Sequence, residues 1–219
     1  MIRCVLFDLD GTLVDTWNLY VEAYIRALEP HVGRRLTLEE LIALRPNSEL
    51  RLLQRGAAGS DVGLVHREFL RHYRALHRTH FGGPYPGVRE MLAALRSSGM
   101  RLGIVTGKSH GAWEITAEAS DLGAFEVVVT DEDTKEAKPD PEGLVLALDR
   151  LGVQASEVIY VGDSVGDAQA ARAADLRFGV ALWPKAPHER DAFLAQVRAV
   201  GVWAELSVPK DLVAILRRP

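Results

Sequence analysis

The stretch Cys4-Val5-Leu6-Phe7-Asp8-Leu9-Asp10-Gly11-Thr12 decides the fold. Apolar residues run without interruption and stop at a carboxylate. So short a continuous run suits a strand buried on both faces, the habit of parallel sheets. The Asp-Leu-Asp-Gly that follows marks the end of the strand and a turn. In an open parallel sheet, ligands bind outside the carboxyl ends of the strands. Asp8 and Asp10 therefore stand where chemistry is expected, and strand alternation puts both on one side.

Outward from this stretch, the pattern first turns helical, from about Thr16 to Phe81. Val21, Tyr24, Ile25 and Leu28 recur at the spacing of one helix face. Thr37 with Glu40 is a capping box that starts a second helix, and Pro46 is expected to end it. Val65, Phe69, Tyr73 and Leu76 make a further apolar stripe, and no strand is read in this stretch. Gly82-Gly83-Pro84 then breaks the pattern.

Beyond the break, strand and helix signals alternate. Strands are read at 102–105, 126–129, 158–161 and 178–182. Helices are marked by Val88, Met91, Leu92 and Leu95, by 112–119, by Leu144, Val145, Leu148 and Leu151, and by 168–174. A last helix is read at 212–216, while the arrangement of 184–219 carries no clear pattern. Such alternation predicts a parallel sheet with helices on both sides. The expected class is α/β: a Rossmann-like core of residues 1–15 and 84–219, with an α-helical domain, 16–83, inserted after the first strand.

Bulk properties narrow the function. A chain of 219 residues holds one domain with a sizeable insertion, or two modest ones. The net charge of −4 argues against a nucleic-acid partner. Cys4, the single cysteine, excludes an internal disulfide and reads as a small buried thiol. No signal-peptide pattern opens the chain, and no apolar stretch is long enough for a bilayer. A cytoplasmic location without membrane contact is the resulting expectation.

Three further segments join Asp8-Leu9-Asp10-Gly11-Thr12. Thr106-Gly107-Lys108 and Gly162-Asp163-Ser164-Val165-Gly166-Asp167 each follow a predicted strand. Lys138-Pro139-Asp140-Pro141 lies in a loop before a helix. Brought together at the strand ends, Asp8, Asp10, Asp163 and Asp167 crowd several negative charges, which raises their cost of ionisation. A divalent cation relieves the conflict. Magnesium fits best, because it prefers oxygen ligands and shares its sites with water and phosphate; no Cys or His cluster calls for zinc. One carboxylate can then act as a nucleophile, and a second, two residues on, as general acid and base. Thr106, the backbone N–H groups near Gly107 and the Lys138 ammonium supply donors and positive charge for a phosphoryl group. Each segment alone is commonplace; their joint occurrence in order carries the argument.

Phe7-Asp8-Leu9-Asp10-Gly11-Thr12-Leu13-Val14-Asp15-Thr16 resembles the first motif of the haloacid dehalogenase superfamily. Thr106 resembles its second motif, Lys138 its third, and Gly162-Asp163-Ser164 through Asp167 its fourth. The helical insertion, Pro86-Gly87-Val88 and Thr106-Gly107-Lys108 resemble the phosphoglycolate phosphatase-like branch with its small helical cap. The resemblance implies a magnesium-dependent phosphatase. Asp8 is then nucleophile and metal ligand. Asp10 is acid and base, with its carbonyl on the metal. Asp163 binds magnesium directly, and Asp167 supports it. The implied partner is a small phosphorylated metabolite, with the protein a monomer or homodimer. Asp10 disfavours haloalkanoate and phosphonate chemistry, where that position differs. A sugar phosphomutase, an inorganic pyrophosphatase and a non-catalytic binding module are the alternatives.

The insertion departs from the branch pattern at Leu44-Arg45-Pro46-Asn47-Ser48, where glycine is common, which weakens the case for phosphoglycolate itself. Arg45 is a candidate contact for a second anionic group on the substrate, set against an ordinary exposed arginine at a helix end. Arg67, Arg71, Arg74 and Arg78 read as a solvated basic face. His66, His72, His77 and His80 read as surface residues, and Trp17 as a candidate to line the cleft between insertion and core, set against packing between them as the more frequent role.

Overall fold

In a computed structural model that describes residues 2–45 and 47–217, the opening apolar run forms β1 (Cys4–Phe7), buried at every residue. Its side chains alternate between two cores: Cys4 and Leu6 join one apolar cluster, Val5 and Phe7 another. After β2 (Val14–Asp15) come four helices, α1 (Trp17–Val32), α2 (Leu38–Ala43), α3 (Glu49–Gly56) and α4 (Val62–His80). The chain then returns through β3 (Gly83–Pro84). The remainder alternates: α5 (Val88–Ser97), β4 (Arg101–Val105), α6 (His110–Ser120), β5 (Val127–Val129), α7 (Glu142–Leu151), β6 (Val158–Gly162), α8 (Val165–Ala173), β7 (Arg177–Ala181), α9 (Arg190–Val200), β8 (Ala204–Leu206) and α10 (Lys210–Leu216).

Six strands form one sheet in the order β5-β4-β1-β6-β7-β8, every neighbouring pair parallel. β1 sits between β4 and β6, with Leu6 level with Gly103 on one side and Tyr160 on the other. Strand order reverses there, so the carboxyl ends of β1, β4 and β6 frame a crevice of the kind that holds ligands in doubly wound sheets.

The helical block has its own core. Tyr24, Leu28, Phe69 and Tyr73 are buried in it, and Ala112 and Ile115 of α6 join the same cluster. The stripe Val65, Phe69, Tyr73, Leu76 is buried along α4, as its spacing requires. The Thr37–Glu40 capping box is present.

Three local readings need correction. Gly83-Pro84, a break in the sequence pattern, pairs antiparallel with Val14-Asp15, so the block is entered and left through a two-stranded ribbon. Two residues per strand are too short to show any periodicity. The helix expected to run to Pro46 ends at Ala43, and Pro46 lies outside the described residues. His77 is buried against Tyr73 and Phe81, and His66 bonds Glu49, so neither is a plain surface residue. The unassigned stretch 184–219 supplies α9, the edge strand β8 and α10. Among the described residues, no helix is long and apolar enough to cross a membrane.

Candidate active site

Asp8 is the first residue beyond β1, and its backbone N–H still donates to Val161 O of β6 at 2.8 Å. Leu9 turns into the apolar core while Asp8 and Asp10 both line one cavity. The expected alternation thus holds, although β1 ends at Phe7 and the turn continues it. Gly11 adopts a left-handed φ of 80°, and a Cβ there would meet the Asp163 carboxylate at 2.8 Å. Only glycine lets the turn pass so near a second strand end.

Asp163 follows β6, and Asp167 lies in the first turn of α8. Ser164 caps that helix, its hydroxyl accepting from Asp167 N at 3.0 Å, and Asp167 Oδ2 accepts back from the Ser164 N–H. The cap fixes Asp167 against the sheet, where Tyr160 OH donates to its Oδ1 at 2.8 Å. Carboxylate oxygens of Asp8, Asp163 and Asp167 all lie within 4.8 Å of one another. Two lysines offset that charge. Lys138 Nζ donates to Asp8 Oδ1 at 2.6 Å, to Asp167 Oδ1 at 2.7 Å and to Tyr160 OH at 2.9 Å. Lys185 Nζ donates to Asp163 Oδ2 at 2.7 Å.

The electrostatics follow from this packing. Burial pushes the Asp8 carboxyl well above the usual carboxylate range, against the opposing pull of Lys138. Burial also raises Asp163, with Lys185 pulling it back in part. Burial acts in the same sense on Asp167, but Lys138 and the Ser164 and Tyr160 hydroxyls outweigh it and hold that carboxyl low. Lys138 is only partly exposed, and desolvation works against its charge, yet Asp167 and Asp8 hold its proton more tightly than usual. Three carboxylates so close together, in a pocket of low dielectric, form an all-oxygen donor set of the kind that suits magnesium.

Asp10 stands apart from that trio. Its Oδ1 accepts from Thr16 Oγ1 at 2.6 Å and lies 3.1 Å from Lys108 Nζ. Both contacts fall on one oxygen, and Asp10 lines the cavity. Lys108 is fully buried; Tyr73 OH takes a hydrogen bond from its ammonium at 2.7 Å, and the Tyr20 and Tyr73 rings flank it at 4.2 and 4.7 Å. Cation–π contact and the Asp10 charge offset its desolvation. Thr106, buried at the end of β4, accepts from the Lys108 N–H at 3.2 Å.

The helical block closes over these loops. Glu49 N donates to Gly107 O at 3.0 Å, and Asn47 Nδ2 donates to Lys138 O at 3.0 Å. A Cβ at Gly107 would meet Asn47 O at 2.3 Å, so glycine is required for this approach. Buried Asp131, just beyond β5, accepts from Ser48 Oγ at 2.8 Å and from Leu50 N at 2.9 Å, holding the first turn of α3. Arg45 is exposed and left-handed (φ 56°), with its loop tied by Arg55 to the carbonyls of Leu44 and Arg45 at 2.8 and 2.7 Å.

Asp8, Asp10, Arg45, Thr106, Gly107, Lys138, Asp163 and Asp167 all line the same cavity. Sequence reasoning missed Lys185, Tyr160 and Asp131, and named Lys108 in a site segment without giving it a role. Lys108, Asp131 and Lys185 each lie within a few residues of a strand's carboxyl end, a signal that was available. Tyr160 is hidden inside an apolar strand and had none. Trp17, weighed between lining the cleft and packing, lines the cavity half exposed.

Residues 5–181 match the family model of haloacid dehalogenase-like hydrolases. The pyrophosphatase PpaX of Bacillus velezensis is 34% identical over 187 residues, covering 83% of this chain and 84% of the relative. The phosphoglycolate phosphatase of Nitrosospira multiformis is 35% identical over 181 residues, covering 79% and 80%. Among solved structures, CbbY from Rhodobacter sphaeroides in complex with phosphate matches with a TM-score of 0.81 at 25% identity, over 97% of this chain and 96% of that one.

Proposed function

The chain belongs to the haloacid dehalogenase-like hydrolase family, and from that premise we propose that it is a magnesium-dependent phosphatase that hydrolyses a small phosphomonoester through a phosphoryl group carried on Asp8. The observation that carries this reading is the clustering of Asp8, Asp163 and Asp167 beyond the carboxyl ends of β1 and β6, with the Lys138 ammonium on Asp8 and Asp167 and with Asp10 alongside. Curated relatives are named phosphatases, one for pyrophosphate and one for phosphoglycolate.

The residue roles follow from the geometry. Lys138 makes its contact on Asp8 Oδ1, so Oδ2 is the oxygen that attacks phosphorus. As the Asp8–phosphorus bond forms, the bond to the alcohol oxygen breaks, and Asp10 Oδ2 delivers a proton to that oxygen. Asp10 then takes a proton from water, whose oxygen displaces Asp8 from phosphorus and releases inorganic phosphate. Lys138, the Thr106 hydroxyl and the Gly107 N–H bind the phosphoryl oxygens as charge redistributes. Thr16 and Lys108 keep Asp10 turned to the cavity. Asp8, Asp163 and Asp167, with the Asp10 carbonyl, would hold magnesium, which supplies positive charge against the phosphoryl oxygens when bound. Arg45, which lines the cavity, is the candidate contact for any second anionic group on the substrate, and the helical block acts as a lid that excludes water.

Phosphate release from a panel of phosphomonoesters and pyrophosphate, with magnesium and with a chelator, tests the reading. Turnover that requires magnesium is expected. Turnover that survives chelation overturns the metal assignment, and turnover only with a sugar bisphosphate activator points to a phosphomutase.

A further inference from the structure

The cavity above the carboxylates has a volume of about 580 Å³, within the roughly 300–1,000 Å³ that encloses drug-sized ligands. A phosphoryl group bound to a two-carbon acid fills little of it. Its helical side carries apolar surface beside Arg45, Asn47 and Glu49. Trp17 and Val21 of α1 and Leu41 and Ile42 of α2 line it. Trp17 is 51% exposed and Ile42 48% exposed, so two large apolar side chains stand in water inside the same cavity as the reacting groups.

Trp17 is held there by the machinery itself. It is the first residue of α1, and the preceding Thr16 makes no helix-capping bond; its hydroxyl goes to Asp10 instead. The Trp17 N–H donates to Asp15 Oδ1 at 3.3 Å. The backbone that presents the indole is thus tied to the proposed acid and base one residue away. Leu41, which lines the same side, is buried. Glu49, the carboxylate on this side, is buried and occupied by Tyr20 and His66 at 3.1 and 2.9 Å, so it offers little to a polar ligand.

We propose that the substrate is a phosphomonoester whose alcohol carries a broad apolar or aromatic face, laid against Trp17 and Ile42, rather than a two-carbon acid or pyrophosphate. This rests on the phosphatase reading above. The phosphoryl end is fixed by the carboxylates and Lys138. The alcohol extends toward α1 and α2, and each methylene it removes from water there contributes roughly fourfold in affinity.

Across the alkyl and phenylethyl esters, leaving-group chemistry stays constant. kcat/KM is measured with magnesium for ethyl, butyl, hexyl and 2-phenylethyl phosphate, beside phosphoglycolate and pyrophosphate. Hexyl and 2-phenylethyl phosphate are expected to exceed ethyl phosphate, phosphoglycolate and pyrophosphate by tenfold or more. Trp17→Ala and Ile42→Ser are each expected to cut the ratio of 2-phenylethyl to ethyl phosphate about tenfold. A flat alkyl series, phosphoglycolate or pyrophosphate in the lead, or variants that leave that ratio intact would overturn the proposal. Calorimetric binding of 2-phenylethylphosphonate and ethylphosphonate separates the two claims. Tighter binding of the aromatic phosphonate with no ester hydrolysed sinks the phosphatase reading and leaves the apolar wall standing. Equal binding sinks the wall.

Discussion

The two sides of the cavity are built on opposite terms. The sheet side buries charge: Asp8 and Asp163 follow β1 and β6, Asp167 starts α8, and Lys138 reaches them from the loop before α7, each held by named partners. The helical side does the reverse and leaves apolar surface, Trp17 and Ile42, in water. Buried charge is costly to assemble and costly to disturb, because removing one partner leaves the other uncompensated. Exposed apolar surface costs the fold little and yields its stabilisation only when a ligand covers it. On the proposed reading, reaction chemistry belongs to the sheet and selectivity to the helices.

The largest effect is expected at the proposed nucleophile. Asp8→Asn should lower turnover by ~10⁴-fold or more, with the circular dichroism spectrum unchanged. Activity retained in that variant would remove the sheet side's claim to the chemistry. Lys138→Ala comes next. It leaves Asp8 and Asp167 facing each other without their shared cation, and about 3–5 kcal/mol of stability should go. Urea unfolding in chelator reads this loss, and added magnesium should recover part of it. A midpoint unmoved by the substitution would mean that the carboxylates are not held against their own repulsion.

Asp131→Ala probes the junction between the two sides. It strips the acceptor from Ser48 Oγ and Leu50 N, a loss of about 1–3 kcal/mol. Amide exchange should speed up at the start of α3 and stay slow in β1 and β6. Uniform acceleration would show that the helical block is not a separately docked unit.

The smallest effect lies under the sheet side. Burial lifts the Cys4 thiol from 9.0 to about 11, the Arg101 charge pulling it back in part. The folded chain therefore holds this proton more tightly than the unfolded one. The associated stability is present below pH 9 and is lost as pH rises from 9 to about 11. A disulfide reagent at pH 8 should leave native Cys4 unmodified and label it once urea unfolds the chain. Fast labelling of the native protein would mean that β1 opens readily.

Much of the sheet side was legible in the chain itself. Short apolar runs ending in Asp8, Thr106 and Asp163 announce buried parallel strands, and such strands present their next residues at one edge. The same rule reaches Lys108, Asp131 and Lys185. The helical side was legible only as helices: the spacing of Val65, Phe69, Tyr73 and Leu76 marks a buried stripe.

Which exposed residues turn toward the carboxylates was not written in any local pattern. Trp17 reads equally well as packing, and its place in the cavity depends on the β2–β3 ribbon and on α3 docking against Asp131 and Gly107. Those contacts join residues far apart in the chain, some through pairings only two residues long, and periodicity does not register them. The sequence by itself determined the α/β core, the helical insertion and the identity of the charged cluster, because these rest on local apolar spacing and on strand ends. The tertiary structure alone decided that Tyr160 braces Lys138, that Lys108 packs against two adjoining tyrosine rings, and that Trp17 and Ile42 line the cavity, because each is a product of packing between distant segments.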